Sequence, residues 1–247
     1  MSVYQQLMEA KERQGAGYLV LIDPDRWTLD QVDGFVQQIN TSGADAIMVG
    51  SSLILGEDLQ NKMKRIKEIA KLPVILFPGN LSQLSPHVDA VFYLAVISGR
   101  NPQFLIGDQV QGAPVVREMG IEPISTGYML IESGRVTSAE FISGSKPIPR
   151  DKPEIAAVHA LAAEYLGFKF VYLEAGSGAK YSVSPEMVYA VSNYAKVPVI
   201  VGGGIHTPEQ AAILVKAGAS FIVTGNVLED ESNSHLMKKF AKAIHSN

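Results

Sequence analysis

The 247 residues include no cysteine, so the chain can form neither a disulfide nor a cysteine-ligated zinc site. An excess of basic residues is also missing, because 21 Lys and Arg stand against 25 Asp and Glu and leave a net charge of −4. Domains that bind nucleic acid usually carry clustered basic residues and a net positive charge. A nucleic-acid partner is therefore not expected.

Long hydrophobic runs are missing as well. The longest apolar stretches, near Tyr18–Ile22 and Ala90–Ile97, fall short of the roughly 20 residues that span a bilayer. The start of the chain lacks the basic stretch and apolar core of a secretory signal. We expect a cytoplasmic protein with no transmembrane segment and at most transient contact with a membrane surface.

Short apolar runs alternate with helical patterns along the whole chain, which is typical of parallel α/β architecture. Most of these runs are continuous rather than alternating, as expected for strands buried on both faces. With no internal repeat or linker, the pattern predicts a single-domain (β/α)8 TIM barrel over residues 1–247. The eight predicted strands are Tyr18–Asp23, Ala46–Val49, Pro73–Phe77, Ala90–Ala95, Glu122–Thr126, Phe168–Leu173, Pro198–Val201 and Phe221–Thr224.

Two connections between the predicted strands depart from the regular pattern. Residues 78–89 are too few and too rich in proline for a full helix, so the third barrel helix should be missing or reduced. This would leave a gap that could become an apolar groove. The long segment 127–150 could form a hairpin or a lid around Ser133 and Gly134.

Glu174 stands at the end of the sixth predicted strand, directly before a glycine turn. Gly176 and Gly178 allow backbone N–H groups to approach an anion without an intervening Cβ. Active sites of TIM barrels lie at the carboxyl ends of the strands. The run 172–179 therefore predicts an acid/base group beside a phosphate-binding turn.

Two further glycine groups follow the seventh and eighth predicted strands, at Gly202–Gly204 and at Gly225–Asn226. Either one alone could be an ordinary turn. In TIM barrels these two loops frequently build a phosphate site together with the N-terminus of a short helix. Their pairing here predicts phosphate binding.

Hard oxygen ligands follow the first two predicted strands. Asp23 and Asp25 come after the first, and Ser52 after the second. Such oxygens suit a Mg²⁺ ion that keeps several waters and also binds substrate phosphates. A carboxylate at this place could equally be a general base or a helix cap, so residue types alone leave its role open.

Five segments together resemble the geranylgeranylglyceryl phosphate synthase family: 21–25, 49–52, 172–178, 202–205 and 224–226. The resemblance extends over essentially the whole chain, including residues 98–108. It is strongest to group II of that family and of the related heptaprenylglyceryl phosphate synthases, which has archaeal and bacterial members. One departure is Leu21, where the Bacillus-type relatives carry a lysine that could contact substrate phosphate.

The resemblance implies Mg²⁺-dependent transfer of a prenyl group from an allylic diphosphate to the hydroxyl of sn-glycerol 1-phosphate, giving an ether-lipid precursor. Geranylgeranyl diphosphate is the expected donor. By family similarity, Asp23 and Ser52 are expected to bind Mg²⁺, and Glu174 is expected to accept the hydroxyl proton. It assigns glycerol phosphate binding to Tyr172, Leu173, Glu174, Ala175, Gly176, Ser177, Gly178, Gly203, Gly204, Gly225 and Asn226.

Two other functions stay open beside this one. A phosphosugar isomerase would share the glycine loops, but it usually needs a second carboxylate after strand five, where residues 124–128 supply none. A non-catalytic binder of prenyl lipids would keep the barrel without turnover. Exposed apolar helix faces also predict a homo-oligomer.

Overall fold

Eight parallel strands close into a barrel in the computed structural model, which describes residues 1–56, 58–229 and 235–245. Each strand pairs with the next along the chain, and the last pairs with the first, where Val20 lies opposite Thr224. The predicted TIM barrel is confirmed. The strands are β1 Gly17–Ile22, β2 Ala46–Val49, β3 Val74–Leu76, β4 Ala90–Val96, β5 Glu122–Leu130, β6 Phe170–Glu174, β7 Val199–Gly202 and β8 Phe221–Thr224.

Helices surround the barrel, and several begin with local capping signals. Thr28 and Thr207 each form a capping box with the glutamine three residues later, and Pro185 and Pro208 occupy first helical positions. The helices are α1 Val3–Gln14, α2 Leu29–Asn40, α3 Leu59–Ile69, α4 Asp108–Met119, α5 Ser138–Ser143, α6 Pro153–Tyr165, α7 Pro185–Tyr194, α8 Pro208–Lys216 and α9 Leu236–Ile244. Within the described ranges, none of them combines the length and the apolar character that a bilayer span requires.

The strand side chains alternate between two buried layers. Those that point into the barrel, such as Tyr172 and Phe170, pack with one another and with Val3 and Leu7 of α1, which closes the amino-terminal end. Those that point outward, such as Val171 and Leu173, pack against the surrounding helices. This alternation decides which residues at the strand ends can face the interior of the barrel mouth.

The connection between β3 and β4 contains one 3₁₀ turn, Leu81–Gln83, in place of a helix. The expected reduction of the third helix is confirmed. Gln83 is only 1% exposed; its side chain donates to the Ser51 carbonyl (3.0 Å) and accepts from the Gly79 N–H (2.9 Å). The buried amide thus ties the short turn to the end of β2 and keeps a gap beside it.

Of the hairpin and the lid predicted as alternatives for 127–150, the hairpin is wrong. Strand β5 continues to Leu130, beyond the expected end at Thr126, and Ile131 then forms a parallel bridge with Ile148. A hairpin would require antiparallel pairing, whereas here the chain crosses through α5 before it returns. Ala139 of α5 lines the barrel mouth.

Candidate functional site

A polar cavity of about 840 Å³, including its open mouth, lies at the carboxyl ends of the strands. The sequence-predicted residues come together there from five strands that are far apart in the chain. Those that line the cavity are Asp23, Ser52, Tyr172, Glu174, Gly176, Ser177, Gly178, Gly203, Gly204, Gly225 and Asn226.

Glu174 is the buried carboxyl group of this cavity, with 6% of its surface exposed. Its Oε1 accepts a 2.5 Å hydrogen bond from the Gly176 N–H. Burial raises the pKa of Glu174 to about 7, and the bonds from Gly176 and from the Tyr172 hydroxyl offset only part of that rise. A carboxyl group with this pKa can accept and release a proton near neutral pH.

The Tyr172 hydroxyl is held close to Glu174 because strand β7 passes by without a side chain. A Cβ on Gly202 would lie 2.2 Å from the Tyr172 hydroxyl oxygen. Burial, and next the charge of Glu174, raise the pKa of Tyr172 well above its usual value. Tyr172 is therefore a neutral phenol that donates to the carboxylate.

Two residues of the predicted substrate-binding run point the other way. Leu173 and Ala175 pack in the outer layer between strands and helices, and their side chains do not line the cavity. The two-residue alternation of a strand explains this, because Tyr172 and Glu174 point inward. Leu173 and Ala175 can meet a ligand only through their main chain.

The loops after β6, β7 and β8 are held close together at one side of the cavity. Asn226 Oδ1 accepts from the Ser177 hydroxyl (2.8 Å) and from the Gly178 N–H (3.3 Å), which joins the loop after β6 to the loop after β8. Gly203 and Gly204 adopt φ values of 82° and 66°, and a Cβ on Gly203 would lie 2.4 Å from Glu174 Oε1. Only glycine fits both the turn and the close approach.

Main-chain groups dominate this glycine-rich side. Among the described residues, neither Lys nor Arg lines the polar cavity, whereas the apolar side chain of Leu21 does. The 3₁₀ turn Asn226–Leu228 places its N-terminus at the cavity. N–H groups at glycine turns and at the start of a helical turn are suited to bind phosphate oxygens.

Asp23 lies at the end of β1, the strand that pairs with β8. Its carboxylate accepts from the Ser51 hydroxyl (3.0 Å) and from the Asp25 N–H (3.0 Å). The Asp25 carboxylate accepts from the N–H groups of Leu55 and Gly56, so it anchors the loop after β2 and does not line the cavity. Of the two carboxylates, Asp23 alone is available to a ligand there.

A second carboxyl group near Asp23 was not identified from the sequence. Glu229 lines the cavity, bonds to Asn226 Nδ2 (2.7 Å) and lies 3.8 Å from Arg26 Nε. Partial burial and the charge of Asp23 raise the pKa of Glu229, and Arg26 opposes that rise. No strand-end signal marks Glu229, because it follows β8 by several residues.

An apolar groove opens from the polar cavity into the gap beside the Leu81–Gln83 turn. It encloses about 900 Å³ including its mouth, within the range of about 300–1,000 Å³ usual for small-molecule sites. Its mouth adjoins the polar cavity at Ser51 and Ser52, which line both. Its apolar lining includes Phe77, Leu81, Leu84, Val91, Leu94, Val96 and Phe104.

A metal ion would find hard oxygens where the two cavities meet. The described residues contain no group of three His, Cys, Asp or Glu side chains arranged to hold a metal. Asp23 with the neighbouring serine oxygens nevertheless fits Mg²⁺, which commonly takes one or two carboxylates and completes its shell with water and substrate phosphate. A divalent ion that depends on a phosphorylated ligand is compatible with this donor set.

Comparison with known proteins gives one consistent result. The model of the PcrB family matches residues 6–244. A protein of Chitinophaga pinensis named geranylgeranylglyceryl phosphate synthase is 41% identical over 99% of this chain and 96% of its own length. A protein of the same name from Pyrococcus abyssi is 46% identical over 92% and 90%. The Thermoplasma acidophilum geranylgeranylglyceryl phosphate synthase, solved with its substrate sn-glycerol-1-phosphate, superposes with a TM-score of 0.93 at 34% identity over 99% of both chains.

Proposed function

This chain belongs to the PcrB family, and on that premise we propose how its two cavities carry out the reaction of a geranylgeranylglyceryl phosphate synthase. The chain transfers a prenyl group to sn-glycerol 1-phosphate and forms an ether-lipid precursor. The observation that carries the mechanism is the position of Glu174. A buried carboxyl group with a pKa near 7 lies in a polar cavity that opens directly onto an apolar groove.

Glycerol 1-phosphate occupies the polar cavity in this proposal. Its phosphate lies against the N–H groups of the loops after β7 and β8, at Gly203, Gly204, Gly225 and Asn226. Its glycerol hydroxyl then points toward Glu174. The clamp from Asn226 to Ser177 and Gly178 supports this assignment, because it fixes the loops after β6 and β8 before the ligand arrives.

Glu174 acts as the general base. It removes the proton of the attacking hydroxyl, and the Tyr172 hydroxyl orients the carboxylate through its hydrogen bond. A base is most effective when its pKa lies near the working pH. Burial in the barrel mouth supplies that pKa here, since an exposed glutamate would be a weaker base.

The donor is an allylic prenyl diphosphate, with geranylgeranyl diphosphate as the expected one. Its hydrocarbon tail fits the apolar groove, where burial is favourable by about 0.8 kcal/mol for each methylene. Its diphosphate lies at the groove mouth near Asp23, Ser51 and Ser52. The tail and the charged head thus fall on the two sides of the boundary between the cavities.

Mg²⁺ would be held by Asp23 together with oxygens of Ser52, and Ser51 orients the Asp23 carboxylate. When bound, the ion neutralises negative charge on the leaving diphosphate. We expect chelation with EDTA to abolish turnover and added Mg²⁺ to restore it. Replacing Asp23→Asn should raise the Mg²⁺ concentration required for half-maximal rate.

The isomerase alternative finds no support in the cavity. Strand β5 ends at Leu130, and Glu132 beyond it is exposed and accepts from the Gly134 N–H instead of lining the cavity. No second carboxyl group from this strand therefore faces Glu174. The non-catalytic binder is a possible outcome of the experiment below.

Incubation of the purified chain with labelled sn-glycerol 1-phosphate, Mg²⁺ and allylic diphosphates of several lengths tests the proposal. We expect an ether lipid that passes into the organic phase with at least one diphosphate, and the rates also reveal the preferred chain length. Saturable binding of the diphosphate without any extractable product would identify a binder and contradict the transferase.

A further inference from the structure

One aromatic ring lies where the polar cavity meets the apolar groove. Phe77 directly follows β3 and its half-buried ring lines both cavities. The other residues shared by the two linings are Ser51, Ser52, Tyr128 and Ala139. The rings of Phe77 and Tyr128 are thus the aromatic groups at the junction of the two cavities.

The ring of Phe77 is fixed in place by its surroundings. Its N–H donates to the Val49 carbonyl (2.8 Å), and Gly50 packs so closely that a Cβ there would lie 1.9 Å from the Phe77 carbonyl oxygen. The ring stacks on Tyr172 with centroids 5.2 Å apart and planes 19° from parallel. Tyr128 adds a tilted contact at 6.0 Å. A ring held in this way needs little reorganisation when charge develops beside it.

The charges around the junction favour a cation. Among the described residues, the side chains that line the two cavities include the carboxyl groups of Asp23, Asp108, Glu174 and Glu229, but neither Lys nor Arg. The flanking phenols stay neutral, since burial raises the pKa of both Tyr128 and Tyr172. Arg26 Nε lies 4.0 Å from Asp23 Oδ2 and 3.8 Å from Glu229 Oε2 and offsets their charge. The Glu174 carboxyl group and the π-electron density of the rings remain to favour a cation where the prenyl tail meets its diphosphate.

We propose that Phe77 is a catalytic residue whose ring face stabilises the positive charge that develops on the allylic carbon. This inference rests on the proposed transferase function. In the step, the bond between the allylic carbon and the diphosphate oxygen breaks, and its electron pair leaves on the diphosphate. The glycerol hydroxyl oxygen bonds to the same carbon, and its proton goes to Glu174. Cation–π attraction lowers the energy of that charge-separated transition state.

Progressive fluorination of the ring tests the proposal without changing its packing much. Phenylalanine with one, two and three ring fluorines is incorporated at position 77, and kcat and KM are measured with Mg²⁺ and geranylgeranyl diphosphate. Fluorine withdraws electron density from the ring face and weakens cation–π attraction. We expect kcat to fall stepwise, by about tenfold at the trifluoro stage, while KM changes little.

Phe170 provides the matched control, because it is fully buried inside the same barrel and lines neither cavity. The same fluorinated series at Phe170 should leave kcat unchanged. If kcat does not change along the fluorinated series at Phe77 in an enzyme that makes product, the inference about Phe77 is wrong, but the proposed transferase function is not contradicted. If the unsubstituted chain makes no product from any diphosphate, the proposed function itself fails.

Discussion

The surroundings of Glu174 change the acidity of its carboxyl group. In water its carboxyl group would be ionised at neutral pH and a poor base. Inside the barrel mouth, burial raises its pKa to about 7, although Gly176 and Tyr172 still donate to it. The protein therefore holds a carboxyl group that is partly protonated at neutral pH. The free energy of unfolding should reflect the cost of ionising this buried group.

The pH dependence of stability follows from this pKa. The folded value of about 7 lies above the ordinary 4.5, so the folded chain binds more protons than the unfolded chain between these two pH values. The free energy of unfolding should therefore fall as pH rises from 4.5 to 7, by about 3 kcal/mol from this group, and then level off.

Urea denaturation of the Glu174→Gln variant at several pH values checks this pH dependence of the free energy of unfolding. The variant should be more stable than the unsubstituted chain at pH 8, and the difference should shrink toward pH 4.5, because the amide does not ionise. A stability difference that stays constant between pH 4.5 and pH 8 would mean that the pKa of Glu174 is not raised.

At the scale of elements, the site depends on loops that approach one another more closely than side chains allow. A Cβ added to Gly203 would lie 2.4 Å from Glu174 Oε1 and 2.6 Å from the Gly176 nitrogen. The loop after β7 thus presses directly on the carboxyl group that the loop after β6 presents. A change in one loop should therefore alter the chemistry of the other.

Replacing Gly203→Ala should reduce kcat by more than tenfold, because the new Cβ displaces Glu174. Gly167→Ala is the matched control: its φ of 79° is close to the 82° of Gly203, but nothing lies within 4 Å of the added Cβ. Both variants should lose about 1–2 kcal/mol of stability from backbone strain, and Gly203→Ala should lose more, because its Cβ also meets the Gly176 main chain. Equal activity in the two variants would show that the close approach at Gly203 has no catalytic consequence.

The turn that replaces the third helix also depends on one buried group. Replacing Gln83→Leu leaves the Ser51 carbonyl and the Gly79 N–H without their partner, at a cost of about 1–3 kcal/mol for each group left unpaired. We expect a lower urea midpoint and a raised KM for the prenyl diphosphate. The exposed Gln37→Leu on α2 should change neither by much. An unchanged KM in the Gln83 variant would contradict the view that this amide shapes the groove mouth.

At the scale of the whole molecule, the barrel was predictable because its signals are periodic and local. Alternating strands and helices, capping boxes at Thr28 and Thr207, and glycine loops after β7 and β8 are all visible in the sequence. The gathering of Asp23 and Glu174 in one mouth follows from the fold alone, because all eight strands end on the same side.

The remaining features of the site could not be predicted, because they depend on contacts between residues that are distant in the sequence. The outward direction of Leu173 follows from the alternation of side chains along a strand. The continuous apolar sequence around Leu173 hides that alternation from sequence analysis. The use of Asp25 as a loop anchor, and the bond from Ser51 to Asp23, depend on how the loop after β2 folds back. The stacking of Phe77 on Tyr172 joins the residue after β3 to a residue of β6, and no local pattern encodes it. The homo-oligomer stays a prediction, with exposed apolar side chains such as Tyr165 and Leu166 available for it.

The central claim is that Glu174 accepts the proton of the glycerol hydroxyl, and the pH profile of transfer tests it most directly. In the unsubstituted chain, kcat/KM for glycerol 1-phosphate should rise with pH along a limb centred near 7. Glu174→Gln should bind glycerol 1-phosphate in calorimetry, yet transfer about 10²–10⁴-fold more slowly and without that limb. If the variant keeps both its rate and the limb near pH 7, another group is the base and the account is wrong.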